Sequence, residues 1–455
     1  MKNLTEGNSG NLIFKFAVPM LIGNVFQQMY NIVDSIIVGR YLGKQALAAV
    51  GASFPLIFML ISFVVGVAMG TTIIVSQYFG AKDMKMVKRS IETMYIFLFF
   101  ASIAVTILGI TLSGPIFRLI NLPEDVMPQA ITYFNVYLTG TVFFFGFNGI
   151  SSVLRGLGDS KTPLYFLIIA TLMNAVLVWL FVAVFKWGVA GSAWATVIAQ
   201  AGAFFSGVIY LNRTHEIVKL NSLKLVFDKA IFRKSLMIGL PTGLQQTFVS
   251  MGMLAVTRIV NGFGTDVIAA YSAAGRIDSL AGMPAMNFGA ALSTFVGQNL
   301  GANKPERVKQ GLKATFLMSG ALALFTSLAV ILSRKWLMGL FTVDAAVIAI
   351  GAEYLVIVSS FYIFFSTMFV IGGVMRGAGD TIVPMFITLF ALWAVRIPAA
   401  WIMSRYMGVD GIWWSIPVAW CIGMVLSYLY YLKGNWKKKV VVRPQVILTE
   451  EVVID

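Results

Sequence analysis

The sequence predicts an all-α integral membrane protein: twelve transmembrane helices in two six-helix lobes, related by a pseudo-twofold axis along the membrane normal. Three observations predict it. First, 58% of the 455 residues are hydrophobic and only 12% are charged, about half the charged fraction of a soluble domain. Second, the apolar residues form continuous runs of membrane-spanning length, without the two-residue alternation of a strand barrel. Third, the chain repeats itself. Val75-Ser76-Gln77-Tyr78-Phe79-Gly80-Ala81 returns as Val296-Gly297-Gln298-Asn299-Leu300-Gly301-Ala302. Leu154-Arg155-Gly156-Leu157-Gly158-Asp159 with Pro163 returns as Met375-Arg376-Gly377-Ala378-Gly379-Asp380 with Pro384. Gln77 to Gln298 and Pro163 to Pro384 both measure 221 residues.

The runs follow in order. Run 12–39 carries Pro19 and the polar residues Gln27, Tyr30 and Asp34. It exceeds the ~7–15 apolar residues of a signal-peptide core and lacks a small-residue cleavage site, so it reads as the first span. Runs 52–77, 91–114, 129–152, 163–185 and 188–211 complete a first lobe over residues 1–212. The longest polar stretch, 213–235, joins the halves, and its Lys224, Lys229, Arg233 and Lys234 beside Phe227 and Ile231 predict a short surface helix. Runs 236–262, 270–298, 314–333, 349–371, 384–404 and 408–432 make the second lobe, 236–432, followed by a tail, 433–455. Pro19, Pro241 and Pro398 fall inside runs, where proline kinks a helix.

The loops set the orientation. Lys82, Lys85, Lys88 and Arg89, then Arg155 and Lys161, the linker cations, Lys304 to Lys313, Arg376 and Lys433 to Lys439 alternate with loops that hold few cations. By the positive-inside rule both termini are cytoplasmic. With six spans per half, the halves run parallel and a path between them follows the pseudo-twofold axis. The net charge of +15 is then matched to anionic lipid, and nucleic acid is excluded as a partner. The single cysteine, Cys421, excludes an intramolecular disulfide, and the single histidine, His215, makes no metal site. The Gly-x-Gly of the Arg155 motif follows no strand and is no nucleotide loop.

Asp34 is the most informative residue. A charge inside a span costs about 2.5–3.5 kcal/mol on insertion scales, and a carboxylate that alternates between protonated and ionised forms is what coupling to H+ requires. Gln27, Tyr30 and Asp34 lie at i, i+3 and i+7, on one helix face. The second half has its own ionisable set: Arg258, Arg276, Asp278, Glu353 and Arg396. Asp278 stands either in an ion pair with Arg258, Arg276 or Arg396 or at a second coupling or substrate site, and Glu353 is placed near a span end. The repeat puts Val256 near the counterpart of Asp34, so the halves differ chemically. No intramembrane histidine, metal-ligand cluster or nucleophile with a base points to an enzyme.

These residues together resemble the multidrug and toxic compound extrusion (MATE) transporters, in their bacterial DinF-like branch. The resemblance spans almost the whole chain. It is carried by Pro19, Gln27, Tyr30, Asp34 and Gly39; Gln77 with Gly80-Ala81; Arg155-Gly156-x-Gly158-Asp159 with Pro163; and Gly188-x-x-Gly191 with Ala195-Thr196. Ala269-Ala270-Tyr271, Arg276-Ile277-Asp278, Met283-Pro284, Gln298 with Gly301-Ala302 and Arg376-Gly377-x-Gly379-Asp380 extend it through the second half.

The resemblance implies a V-shaped twelve-helix antiporter of the bacterial cytoplasmic membrane, needing no cofactor. It would expel small amphipathic, often cationic compounds in exchange for H+ or Na+, and one chain holds both lobes, so a monomer suffices. It implies an ion site at Asp34, Asn174 and Thr196, with Gln27, Tyr30, Asp278, Arg258, Arg396 and Glu353 along the path or in support. Pro19, Arg155 and Arg376 would act as hinge or gate elements. The family's second aspartate and the proline after it are replaced by Val178 and Trp179. Na+ favours several hard oxygen ligands, so this loss favours H+. The competing reading is a lipid or lipid-linked-oligosaccharide flippase of related fold, which would line its cavity with cations.

Overall fold

The computed structural model describes residues 2–120, 122–214 and 225–442, apart from the side chain of Phe63. It is helical throughout, with no strand among the described residues. The first half comprises α1 (Ser9–Leu42), α2 (Lys44–Gly80), α3 (Met84–Leu119), α4 (Met127–Thr139), α5 (Thr141–Gly156), α6 (Lys161–Trp179) and α7 (Gly188–Thr214). The second comprises α8 (Lys229–Asn261), α9 (Thr265–Gly301), α10 (Pro305–Gly339), α11 (Ala345–Ser359), α12 (Tyr362–Ala378), α13 (Ile382–Leu389), α14 (Ile397–Met407) and α15 (Val409–Lys433). Among the described residues, eight helical segments are long and apolar enough to span a membrane, and two bent pairs bring the number to ten. The less apolar α8 and α9, of 33 and 37 residues, complete the twelve-helix fold.

Two runs read as single spans are broken. Between α4 and α5 the chain bends by 50°, and between α11 and α12 by 47°. The first break falls at Gly140, where a Cβ would stand 2.5 Å from Val197 on α7. The second falls at Ser360–Phe361, where Phe361 packs edge-on against Trp414 at 5.7 Å. Among the described residues, the surface helix expected in the linker is not a separate element. Asp228 caps α8 by accepting from Ala230 and Ile231 N–H, so Lys229, Arg233 and Lys234 form the first turns of the seventh span. The helix dipole favours a carboxylate at that end. His215, Lys219 and Lys224, and the tail from 443 onward, lie outside the described residues.

Pro19 and Pro241 lie inside continuous helices. Pro398 lies inside the continuous helical span Ile382–Met407, just past its π-helical segment. A π-helical stretch, Phe390–Arg396, precedes it, and another, Leu180–Val184, ends α6.

The two lobes meet along glycines. Gly66 and Gly70 of α2 lie against Gly239 and Gly243 of α8, and a Cβ at Gly66 would stand 2.7 Å from the Gly239 carbonyl. Small residues four apart let helix backbones approach within a membrane. At the end where Leu4 and Val441 lie, Gly80 abuts the Gln298 carbonyl and Gly301 abuts the Gln77 carbonyl. One apolar cluster buries Leu4, Ile13 and Phe16 from the start of the chain with Phe288, Leu292, Phe295 and Met375 of the second half. The first helix therefore packs on both lobes.

Candidate functional site

Asp34 lies buried on α1, 6% exposed. Its Oδ1 accepts a hydrogen bond from Ser192 Oγ of α7 at 2.7 Å, and among the described residues no cation lies within ion-pair distance of it. One turn earlier, Tyr30 donates to Thr196 Oγ1 at 2.8 Å. Asn174 of α6 donates to Tyr30 Oη at 3.2 Å and to Thr196 Oγ1 at 3.4 Å. Its Oδ1 is buried without a partner. Tyr133 and Tyr137 of α4 sit within electrostatic range of Asp34, their rings 6.3 Å apart.

The fold thus gathers Asp34, Tyr30, Asn174 and Thr196 from three helices. Sequence reasoning missed Ser192, Tyr133 and Tyr137. The signal for Ser192 was present: it precedes Thr196 by four residues, so both face one side of α7. Gln27 does not join this cluster. It lines a separate cavity beside Arg155.

Val178 is fully buried in an apolar cluster with Phe181, Val182 and Ala195, against Ile37 and Leu177. Trp179 is half-exposed on the outside of the bundle. The cluster therefore offers one carboxylate, one free amide oxygen and a chain of hydroxyls. That set can take up and release a single proton at Asp34, with the Tyr30–Asn174–Thr196 group one turn away.

In the second half, no arginine lies within ion-pair distance of Asp278 among the described residues, so the ion pair, one of its two readings, is not formed. Arg258 and Arg276 are exposed on other faces of α8 and α9. Arg396 acts on Asp278 only at longer range, and its Nε is buried and unpaired. Asp278 faces the hydroxyls of Tyr354 and Tyr362. Tyr354 in turn packs edge-on against the buried Trp413 at 4.9 Å. Glu353, next to Tyr354 in sequence, is exposed and stands apart. Val256 is buried in the apolar core of this lobe.

Arg155 and Arg376 end α5 and α12. The motif aspartates do not pair with them. Asp159 caps α6, accepting from Lys161 N, Thr162 N and Thr162 Oγ1. Asp380 accepts from Tyr430 Oη at 2.6 Å and from Val383 N.

A family model described as MatE matches this chain twice, over residues 19–180 and 241–402. The chain belongs to the MatE family. Two curated relatives from Bacillus subtilis (strain 168) are named probable multidrug resistance proteins. YpnP is 33% identical over 96% of this chain and 97% of its own length. YoeA is 34% identical over 94% of each. A solved structure titled as the outward-facing conformation of a multidrug resistance MATE family transporter superposes with a TM-score of 0.90 at 22% identity, covering 96% of this chain and 99% of that one. The twofold match of the MatE model coincides with the internal repeat, and each match contains one arginine motif. This MATE transporter is therefore a multi-pass membrane protein.

Proposed function

We propose that the chain is a secondary multidrug efflux transporter, not an enzyme, that exports small amphipathic, often cationic compounds in exchange for H+ by alternating access. It resides in the bacterial cytoplasmic membrane with both termini inside and works as a monomer surrounded by lipid. Asp34 carries the coupling proton, and Ser192, Tyr30, Asn174 and Thr196 hold and relay it. The observation that carries this reading is the environment of Asp34. The carboxylate is buried, bonded to one hydroxyl, and has no second carboxylate beside it because Val178 sits among aliphatic side chains. A proton needs one such group, whereas Na+ favours several oxygens. With the basic loops cytoplasmic, the glycine-packed end is the cytoplasmic one, and the closed contacts there correspond to an outward-facing state.

The test is dye efflux from everted vesicles, wild type and Asp34→Asn at matched expression, under a pH gradient and separately a Na+ gradient. Efflux driven by the pH gradient and lost in Asp34→Asn is the expected result. Efflux driven only by Na+ overturns the coupling assignment. Unchanged gradient-driven efflux in Asp34→Asn moves coupling to Asp278 or Glu353. No efflux of any cationic dye leaves the family standing and favours the lipid-flippase reading.

A further inference from the structure

The two ends of the described chain meet equivalent places on the two lobes. The Lys2 carbonyl lies against Gly158 and the Lys439 carbonyl against Gly379, glycines 221 residues apart with φ of +82° and +97°. From there Leu4 N–H reaches Gln298 at 2.9 Å and Val441 N–H reaches Gln77 at 2.8 Å. The repeat does not by itself produce this likeness. The counterpart of residues 4–7 is 225–228, and that segment runs along α3 instead. Val226 N–H donates to Glu92 Oε2 at 3.4 Å and Asp228 N–H to Thr93 Oγ1 at 3.0 Å. Residues 439–442, beyond the last span, take the place at Gln77. Two straps therefore cross the closed end, one from each end of the described chain.

The straps are gripped unequally. Side chains of the second lobe hold the first one. Asn299 Nδ2 donates to the Leu4 carbonyl at 3.2 Å, Lys304 Nζ to the Thr5 carbonyl at 3.1 Å and Arg307 Nη2 to the Gly7 carbonyl at 2.9 Å. Among the described residues, the second strap has only the amide bonds of Val441 and Val442 to Gln77 Oε1. Beside it lies a groove of about 660 Å³, lined by Val440 and Val442 together with Leu300, Tyr431, Leu432 and Trp436. The cations on the groove are Lys309, Lys437 and Lys438, all exposed. Its one carboxylate, Glu306, is engaged by Lys309 at 3.1 Å. Lys437 and Lys438 have no carboxylate within ion-pair distance among the described residues.

The groove lies at the level of the bilayer surface. Leu432 ends the last apolar run and Lys433 follows it. The rings of Tyr431 and Trp436 stack at 5.6 Å, and the indole N–H donates to the Tyr431 carbonyl at 3.0 Å. Such aromatic rings mark the depth at which lipid chains give way to headgroups. An apolar wall thus adjoins two ammonium groups, a combination that matches the chains and the phosphate of one lipid.

We infer that this groove binds an anionic phospholipid, with its phosphate at Lys437 and Lys438 and its acyl chains along Leu432 and Tyr431. The bound lipid supplies the grip that the 439–442 strap lacks, and so favours closure at this end. The inference goes beyond the transport reading and takes from it only that this end faces the cytoplasmic leaflet.

The test is isothermal titration calorimetry on the purified full chain in neutral detergent. It needs no gradient, so its failure is separate from any failure of efflux. The probes are dihexanoyl phosphatidylglycerol, dihexanoyl phosphatidylcholine and inorganic phosphate. Phosphatidylglycerol is expected to bind more tightly than either of the others. Lys437→Gln with Lys438→Gln is expected to weaken it about fivefold per lysine removed, and Lys437→Arg with Lys438→Arg to retain it. Lys85→Gln with Lys161→Gln removes two exposed lysines from other basic loops and is expected to change nothing. Gln77→Ala lies outside the groove but frees Val441, and is expected to weaken phosphatidylglycerol as well. Equal losses in the two lysine-to-glutamine pairs would reduce the effect to general surface charge and overturn the proposal. So would affinity untouched in Lys437→Gln with Lys438→Gln, or inorganic phosphate binding as tightly as the lipid. Binding seen only in Glu450→Gln with Glu451→Gln would make the chain's own acidic tail the native occupant, and would also overturn it. Unchanged affinity in Gln77→Ala would overturn the link between lipid and strap.

Discussion

Gln77 and Gln298 make the same bond from opposite lobes. Gln77 Nε2 donates to the Gly377 carbonyl at 3.0 Å, and Gln298 Nε2 donates to the Gly156 carbonyl at 3.0 Å. Both pairs are related by the sequence repeat, so the bonds are images of one another across the pseudo-twofold axis. Each glutamine also holds a segment near one end of the described residues. Gln77 Oε1 accepts from Val441 N at 2.8 Å, and Gln298 Oε1 accepts from Leu4 N at 2.9 Å. Arg307 and Asn299 add further bonds to Leu4 and Gly7. Both glutamines are fully buried, so these bonds close one end of the molecule in the absence of competing water.

Replacing Gln77 or Gln298 with Ala leaves a buried carbonyl and a buried N–H unpaired, at about 1–3 kcal/mol per group. Each variant is expected to populate the state open at this end. Spin labels at the exposed, repeat-related Lys85 and Glu306, in a Cys421→Ser background, report the separation. Distances identical to wild type in both variants would show that these bonds do not hold the closure.

Gly80→Ala and Gly301→Ala test the same closure from packing. Each new methyl meets the backbone carbonyl of the opposite glutamine, and backbone cannot rotate away as a side chain can. The lobes themselves are untouched, so insertion and expression are expected to stay near wild type while dye efflux falls steeply. Wild-type efflux by Gly80→Ala would mean that the close approach is dispensable.

Val178→Asp restores the carboxylate that the family pattern places beside Asn174. Here it would enter the cluster of Phe181, Val182 and Ala195, at a cost on the order of 2–3 kcal/mol. The expected outcome is lower thermal stability in detergent and no gain of Na+-driven efflux. Na+-driven efflux with unchanged stability would show that the site accepts a second carboxylate.

Ser192→Ala removes the hydroxyl that donates to Asp34 and changes nothing else nearby. A hydrogen bond to a charged group is worth about 1.5–3 kcal/mol, so gradient-driven efflux is expected to fall about tenfold or more. Dye binding to the purified protein, measured without a gradient, should be unaffected. Binding that falls in step with efflux would make Ser192 a substrate contact.

Much of this molecule is legible in one dimension. Composition and run length give membrane helices, because a bilayer core admits only helices or closed barrels. The repeat gives two like halves, and Asp34 stands out because a charge within an apolar run has no other evident purpose. Asn174 and Thr196 were placed by resemblance and do meet Tyr30. The breaks at Gly140 and Ser360 were not legible, since a bend leaves hydropathy unchanged. Nor was the linker's continuity with α8, because basic residues suit a helix end and a surface helix equally. Asp278 was left open between an ion pair and a second site for a related reason: charge types permit an ion pair, but only side-chain direction decides whether one forms.

The sequence by itself determined the helical membrane fold, its duplication and the single carboxylate of the first span, because these follow from local chemistry and periodicity. Only the tertiary structure decided which polar groups meet. It set Ser192 against Asp34, sent Gln27 to a different cavity, and drew Val441 to Gln77. Those outcomes depend on how helices distant in sequence rotate and pack, and a two-copy sequence fixes the copies' likeness without fixing what each copy encloses.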